Sequence, residues 1–109
     1  MEEWKPIGYY EISNLGNVRR PFLNGSYKTI KGCVKPNGYR YIRTYENGKA
    51  KNSYIHQLVI KNFVGERPAG LVVDHINRNR LDNRLENLRY ATYKENTLNS
   101  ERFLNPEKL

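Results

Sequence analysis

The sequence predicts an α+β fold: N-terminal antiparallel β-hairpins followed by a strand–loop–strand–helix unit. Three observations predict it. Asn-Gly pairs recur at Asn24-Gly25, Asn37-Gly38 and Asn47-Gly48, and such pairs tolerate the positive φ that tight hairpin turns require. Near residue 54 the apolar spacing changes to that of a helix. Later, Thr92-Tyr93-Lys94-Glu95 reads as a capping box, in which threonine and glutamate satisfy each other's backbone N–H groups at a helix start.

Taken in order, Tyr9–Asn14 and Asn17–Arg20 read as two short strands with Gly16 in the turn between them. Tyr39–Tyr45 is rich in aromatic and β-branched residues and reads as a third. Alternation puts Tyr39, Tyr41, Arg43 and Tyr45 on one face and Arg40, Ile42 and Thr44 on the other. Arginine on both faces leaves the buried one undecided. Ile55, Leu58, Val59 and Phe63 then form a helical stripe, stopped by Gly65 and Pro68. Leu71-Val72-Val73 is a strand running into Asp74-His75, and a polar segment from Ile76 to Asn87 leads to a returning strand at Leu88–Ala91. The capping box starts a last helix near residue 93, with Asn96 in its first turn. The organisation expected is a β-rich N-terminal module over 1–53, a core over 54–100, and a short tail over 101–109 that contains Pro106 and frays.

A chain of 109 residues, 38% hydrophobic, with a mean hydropathy of -0.87, makes one domain or two small lobes sharing a thin core. Its net charge of +8 suits a polyanionic partner, because lysine and arginine drawn onto phosphates release condensed counterions. One cysteine, Cys33, excludes an internal disulfide and a cysteine zinc cage, and reads as a small hydrophobe within a strand. No run is apolar enough to span a membrane and the start lacks a signal peptide, so no membrane partner is expected and a reducing, cytoplasmic setting is.

The order strand, Asp-His, polar loop, strand, capped helix with Asn is that of a ββα-metal hairpin, a unit suited to cutting phosphodiesters. That reaction needs an activated water, neutralised phosphate charge and help for the leaving oxygen. Histidine, with an ordinary pKa of roughly 6.5, can take the water's proton near neutral pH. A hard divalent cation takes oxygen ligands from a carboxylate and an amide, which Asp74 and Asn96 could supply. Taken singly, these residues have plainer readings: Asp-His is a common dipeptide, Asn96 could be an exposed helical amide, and Asn87 a turn residue. His56 reads as a packing residue.

Trp4-Lys5-Pro6-Ile7 and Tyr10 through Arg19 resemble the N-terminal module common in phage and intron-encoded HNH homing endonucleases. His56-Gln57-Leu58-Val59, Val73-Asp74-His75-Ile76-Asn77, Asn79, Asp82-Asn83, Glu86 through Thr92 and Glu95-Asn96 are similar to that family's nuclease core. The resemblance runs from about residue 4 to about residue 100. It implies a ββα-metal (His-Me finger) nuclease core, with His75 as general base, Asp74 and Asn96 as metal ligands, and Asn87 as the residue that holds the loop and orients His75. Where many relatives have histidine, Asn96 gives a neutral amide oxygen, which favours Mg²⁺ or Mn²⁺ over zinc. Larger relatives continue into a C-terminal DNA-reading module. Without it, double-stranded DNA would be met by Arg19, Arg20, Lys28, Lys31, Arg40 and Arg43, and near the site by Arg78, Arg80, Arg84 and Arg89, mostly at phosphates and with reduced specificity. A single such site hydrolyses one phosphodiester, so a monomer that nicks double-stranded DNA, phage-encoded or at work in a bacterial host's cytoplasm, is the simplest expectation. Two other readings are a DNA-binding module of the same fold without activity, and a basic RNA-binding protein stacking bases on its nine tyrosines.

Overall fold

The structure, a computed structural model, describes residues 1–104. Its first half is two antiparallel sheets. β1 (Trp4–Ile7), β2 (Tyr10–Ser13), β3 (Val18–Pro21) and β4 (Tyr27–Ile30) pair in sequence order, and β5 (Cys33–Val34), β6 (Arg40–Glu46) and β7 (Lys49–Tyr54) form a second sheet. Helix α1 (Ile55–Phe63) follows, then β8 (Leu71–His75), a 3-10 turn at Leu85–Asn87, β9 (Leu88–Thr92) and α2 (Tyr93–Leu104). β8 and β9 pair antiparallel, with α2 packed on both. The α+β class and both expected parts of the architecture are present.

Local chemistry explains the elements. In the β6–β7 turn Asn47 and Gly48 both take positive φ, 52° and 76°, as a two-residue hairpin turn demands. β1 carries Pro6 because it is an edge strand, where a missing N–H costs no ladder bond. At the head of α2, Thr92 N donates to Glu95 Oε1 at 2.9 Å and Glu95 N donates to Thr92 Oγ1 at 3.1 Å. The capping box therefore closes as read. Residues 101–104 continue α2 instead of forming a tail, while 105–109 lie outside the described residues.

One core serves both halves. Ile12, Val18 and Ile42 of the sheets cluster with Ile55, Val59 and Ile60 of α1 and with Leu88 of β9. Burying each such side chain contributes about 1.5–3 kcal/mol, so α1 is the element that fastens the β-rich half to the β8–β9 hairpin. The buried face of β6 is the one with Ile42; Arg40 on that face lies half-buried and escapes by donating from Nη1 to the Lys31 carbonyl at 2.9 Å. His56 is buried, in line with its reading as a packing residue, and the helical stripe is broader than read, since Ile60 is buried too. Cys33 stands in a strand, but β5 is a two-residue edge, so the thiol is exposed instead of packed.

The turn after β2 makes a second junction. Asn14 O accepts from Leu85 N at 2.7 Å, and Gly16, at φ +82°, lies so close to Asn83 that a Cβ would come within 2.8 Å of its carbonyl oxygen. Gly16→Ala combines a left-handed backbone with a steric clash and is expected to cost about 2–4 kcal/mol of stability. Urea denaturation of the two proteins checks this, with a loss below about 0.5 kcal/mol counting against the junction.

Candidate active site

The β8–β9 hairpin and its loop form a cleft of about 580 Å³ lined by Asp74, His75, Asn77, Arg78, Asn79, Arg80, Asn96 and Asn99, with Gly38, Tyr39 and Leu81. Strand β8 runs through both Asp74 and His75, opposite Arg89 and Leu88. Alternation turns the two side chains different ways, yet both reach the cleft because it lies at the strand end. Both are buried.

On the α2 side, Asp74 is held by two donors. Arg89 Nε donates to Oδ2 at 2.9 Å, and Asn99 Nδ2 reaches Oδ1 at 3.1 Å and Oδ2 at 3.3 Å, while also donating to the His75 carbonyl at 3.1 Å. The Arg89 contact follows from register, because Asp74 and Arg89 face one another across the ladder. Asn96 and Asn99, three apart on α2, occupy one helical face.

His75 turns the other way. Its Nε2 lies 2.8 Å from Asn83 Oδ1, and Asn83 is buried. An amide oxygen only accepts, so Nε2 carries the proton and Nδ1 keeps the lone pair. Burial pushes the imidazole below the ordinary histidine value, opposed by the Asn83 bond and the negative charges of Asp74 and Asp82 and assisted by Arg80. A neutral ring follows at neutral pH. Beside it is His56, likewise buried, its pKa driven down to about 3 by burial and then by the neighbouring His75.

Asn87 holds the loop. Its Oδ1 accepts from Asn77 N at 2.9 Å, and its Nδ2 donates to Asn77 Oδ1 and to the Asp82 carbonyl, both at 2.9 Å. Asn77 Nδ2 extends the network to Asp82 Oδ2 at 2.7 Å. The side-chain hydrogen bond to the His75 ring is made by Asn83, whereas the Asn87 amide is committed to Asn77 and to the Asp82 carbonyl. Among the asparagines of the polar loop, spacing alone does not single out Asn83. Asn99 carried a signal in its helical spacing from Asn96. Tyr39, which stacks on the His75 ring, had none, since the turn before β6 that carries it is distant in sequence.

The basic candidates divide into three groups. Arg19 lies 3.8 Å from the Trp4 ring centroid and 3.7 Å from that of Tyr27, and its Nε donates to Glu11 at 2.7 Å, so it is a strut of the first sheet. Arg84 is paired with Asp82 and Glu86, and Arg89 with Asp74. Arg20, Lys28 and Arg43 are exposed on the sheets, and Lys31 is exposed between β4 and β5. Arg78, with φ 64°, and Arg80 line the cleft itself.

The donors in the cleft fit a hard divalent cation. A carboxylate offers about four lone-pair positions, of which the hydrogen bonds to Asp74 engage three. The Asn96 amide lines the same space. Among the described residues no three His, Cys, Asp or Glu side chains come together. No described helix is long and apolar enough to cross a membrane.

Residues 53–98 match the model of a family described as HNH endonuclease. DNA endonuclease I-HmuI of Bacillus phage SP01 is 39% identical over 101 residues, covering 89% of this chain and 56% of that protein. The SPbeta prophage-derived protein YosQ of Bacillus subtilis (strain 168), named as an HNH homing endonuclease, is 39% identical over 74 residues, 67% of this chain and 43% of its own length. A solved structure of I-HmuI, described as DNA binding and cleavage by the HNH homing endonuclease I-HmuI, superposes with a TM-score of 0.76 at 38% identity, covering 91% of this chain and 57% of that one. The chain thus spans about half the length of these relatives. Sequence, fold and the Asp74-His75 cleft agree in their likeness to HNH endonucleases, and residues 53–98 carry the match to that family.

Proposed function

We propose that this chain is a metal-dependent DNA endonuclease that nicks one strand, with His75 as general base and a divalent cation held by Asp74 and Asn96. The observation that carries the reading is the His75 ring. Asn83 fixes its Nε2–H, so the basic Nδ1 is defined, in the same cleft as the Asp74 carboxylate. A neutral, oriented imidazole accepts the proton of an attacking water without first having to lose its own. Bound Mg²⁺ or Mn²⁺ would supply Lewis-acid stabilisation of the phosphate and of the departing oxygen. Arg89 and Asn99 keep the Asp74 carboxylate aimed into the cleft, and Asn87 braces the loop that carries Asn83.

DNA reaches the cleft across a surface with net charge +8. Arg20, Lys28, Lys31 and Arg43 are the exposed cations that can meet phosphates on the way, with Arg78 and Arg80 in the cleft. Arg19, Arg84 and Arg89 spend their charge on carboxylates of the protein. A monomer with a single such cleft breaks one phosphodiester per encounter with double-stranded DNA.

Supercoiled plasmid tests the reading. Wild-type protein is expected to produce open-circle DNA with Mg²⁺ or Mn²⁺ and none with EDTA, and Asp74→Ala is expected to lose this activity. Binding of the plasmid with no conversion under any metal would favour a DNA-binding module, and equal nicking in EDTA would remove the cation from the scheme.

A further inference from the structure

We infer that Tyr39 is a positioning residue for His75, so that the β-rich first half of the chain sets the geometry of the base. The inference rests on the assignment of His75 just made. One hydrogen bond, Nε2–H to Asn83, fixes the tautomer of the ring but leaves its tilt and rotation to packing. The packing comes from aromatic neighbours. The Tyr39 ring lies nearly parallel to the His75 imidazole, with centroids 5.8 Å apart and planes 29° apart, and His56 meets the same imidazole at 5.0 Å and 58°. Tyr39 also contacts His56 directly, at 4.8 Å and 33°. The three rings therefore form one cluster, and His75 tilts only if the others give way.

Tyr39 is itself held from several directions. The turn before β6 fixes its backbone: Tyr39 N donates to Asn37 Oδ1 at 3.0 Å, and its carbonyl accepts from Lys35 N at 2.9 Å. Tyr54 packs edge-on against its ring at 5.6 Å, and the Tyr54 hydroxyl accepts from Asn37 Nδ2 at 3.1 Å. Across the cleft, the Arg80 guanidinium lies 4.9 Å from the Tyr39 ring centroid while its Nη1 donates to the Asn37 carbonyl. The approach is close enough that a Cβ on Gly38 would come within 3.3 Å of Arg80 Cδ. The loop of the nuclease hairpin is thus clamped onto a turn of the second sheet, and the pinned ring lies against the base. Tyr39 stands outside the matched residues 53–98, so the match to that family model does not extend to it.

The test separates positioning from DNA contact and from chemistry by the hydroxyl. Tyr39→Leu and Tyr39→Met remove the planar face, and Tyr39→Phe keeps it. Single-turnover nicking at saturating protein reports the cleavage step, and fluorescence anisotropy of the same duplex in EDTA reports affinity. Leu and Met are expected to slow cleavage by at least about 10-fold, with affinity within about twofold, because a displaced base loses its near-attack geometry. Phe is expected to stay within about threefold of wild type on both measures. An unchanged cleavage step in Leu and Met overturns the inference. So does a parallel loss of affinity, which makes Tyr39 a DNA-stacking platform, or a Phe variant as slow as Leu, which gives the role to the hydroxyl.

A second measurement needs no activity and no metal. Long-range ¹H–¹⁵N spectra of the histidine rings are expected to show His75 as a single Nε2–H form in wild type and Tyr39→Phe, and as a mixed or exchange-broadened form in Tyr39→Met. Identical His75 signals in all three overturn the inference even if the wild type proves inactive, whereas an inactive wild type with the expected spectral change defeats only the endonuclease reading.

Discussion

His75→Ala is expected to slow nicking of supercoiled plasmid by about a hundred- to ten-thousand-fold while leaving DNA affinity nearly unchanged, the range by which a positioned general base contributes. The argument is geometric before it is electrostatic. The ring has one nitrogen committed to Asn83, and the proposed mechanism gives proton transfer to the other. Burial then keeps it neutral, so it begins the reaction as a base at pH 7. The sign of that shift carries a further consequence. Depression of the pKa means that the active form persists at pH values below the ordinary 6.5, so wild-type nicking should hold its rate when the pH falls modestly under neutrality. Gel-resolved single-turnover rates measure the loss, and anisotropy in EDTA measures affinity. A His75→Ala protein that nicks at the wild-type rate would transfer the proton to another group. Partial rescue of His75→Gly by added imidazole would separate the missing base from a disturbed fold.

What made this site readable in the sequence was local chemistry. Thr92 and Glu95 interact three residues apart, within a single helical turn, so their spacing fixed the head of α2 and with it the place of Asn96. Asn47-Gly48 announced its hairpin because few other dipeptides accept two positive φ values in succession. The order strand, Asp-His, loop, strand, helix was visible for the same reason. What stayed hidden depends on register and on contacts between distant segments. Arg89 looks like any surface cation until the ladder sets it opposite Asp74. Arg19 looks equally available for phosphate until Trp4 and Tyr27 close on it. Asn83 and Asn87 are chemically identical loop residues, and only the path of the chain decides which touches His75 and which ties Asn77 to Asp82. The tilt of His75 depends on Tyr39, which lies 36 residues earlier in the chain and is brought near by the core that α1 organises.

Acid should destabilise the protein through its buried histidines well before it protonates the carboxylates. In the unfolded chain His56 takes up a proton near pH 6.5, whereas in the folded chain it does so only near 3. The unfolded state therefore binds more protons throughout that window, and stability must fall as the pH falls through it. Between pH 7 and pH 4.5 the loss is on the order of 2–3 kcal/mol from His56 alone. His75, shifted in the same direction, adds to it. For a polar chain with a thin core this is a large share of total stability. Asp82 cannot be responsible, because its carboxyl, held down to about 2 by the bond with Arg84, contributes stability that is lost only below the ordinary carboxylate range. Urea denaturation followed from pH 7.5 to 4.5 is the measurement, with His56→Phe beside the wild type. The substitution removes the buried group whose Nδ1 has no hydrogen-bond partner and fills its aromatic position. The variant should show a flatter profile and overtake the wild type at the acid end. Parallel profiles for the two proteins would mean that His56 is charged when folded, and would put a proton where the packing against Tyr39 and His75 leaves no counter-charge for it.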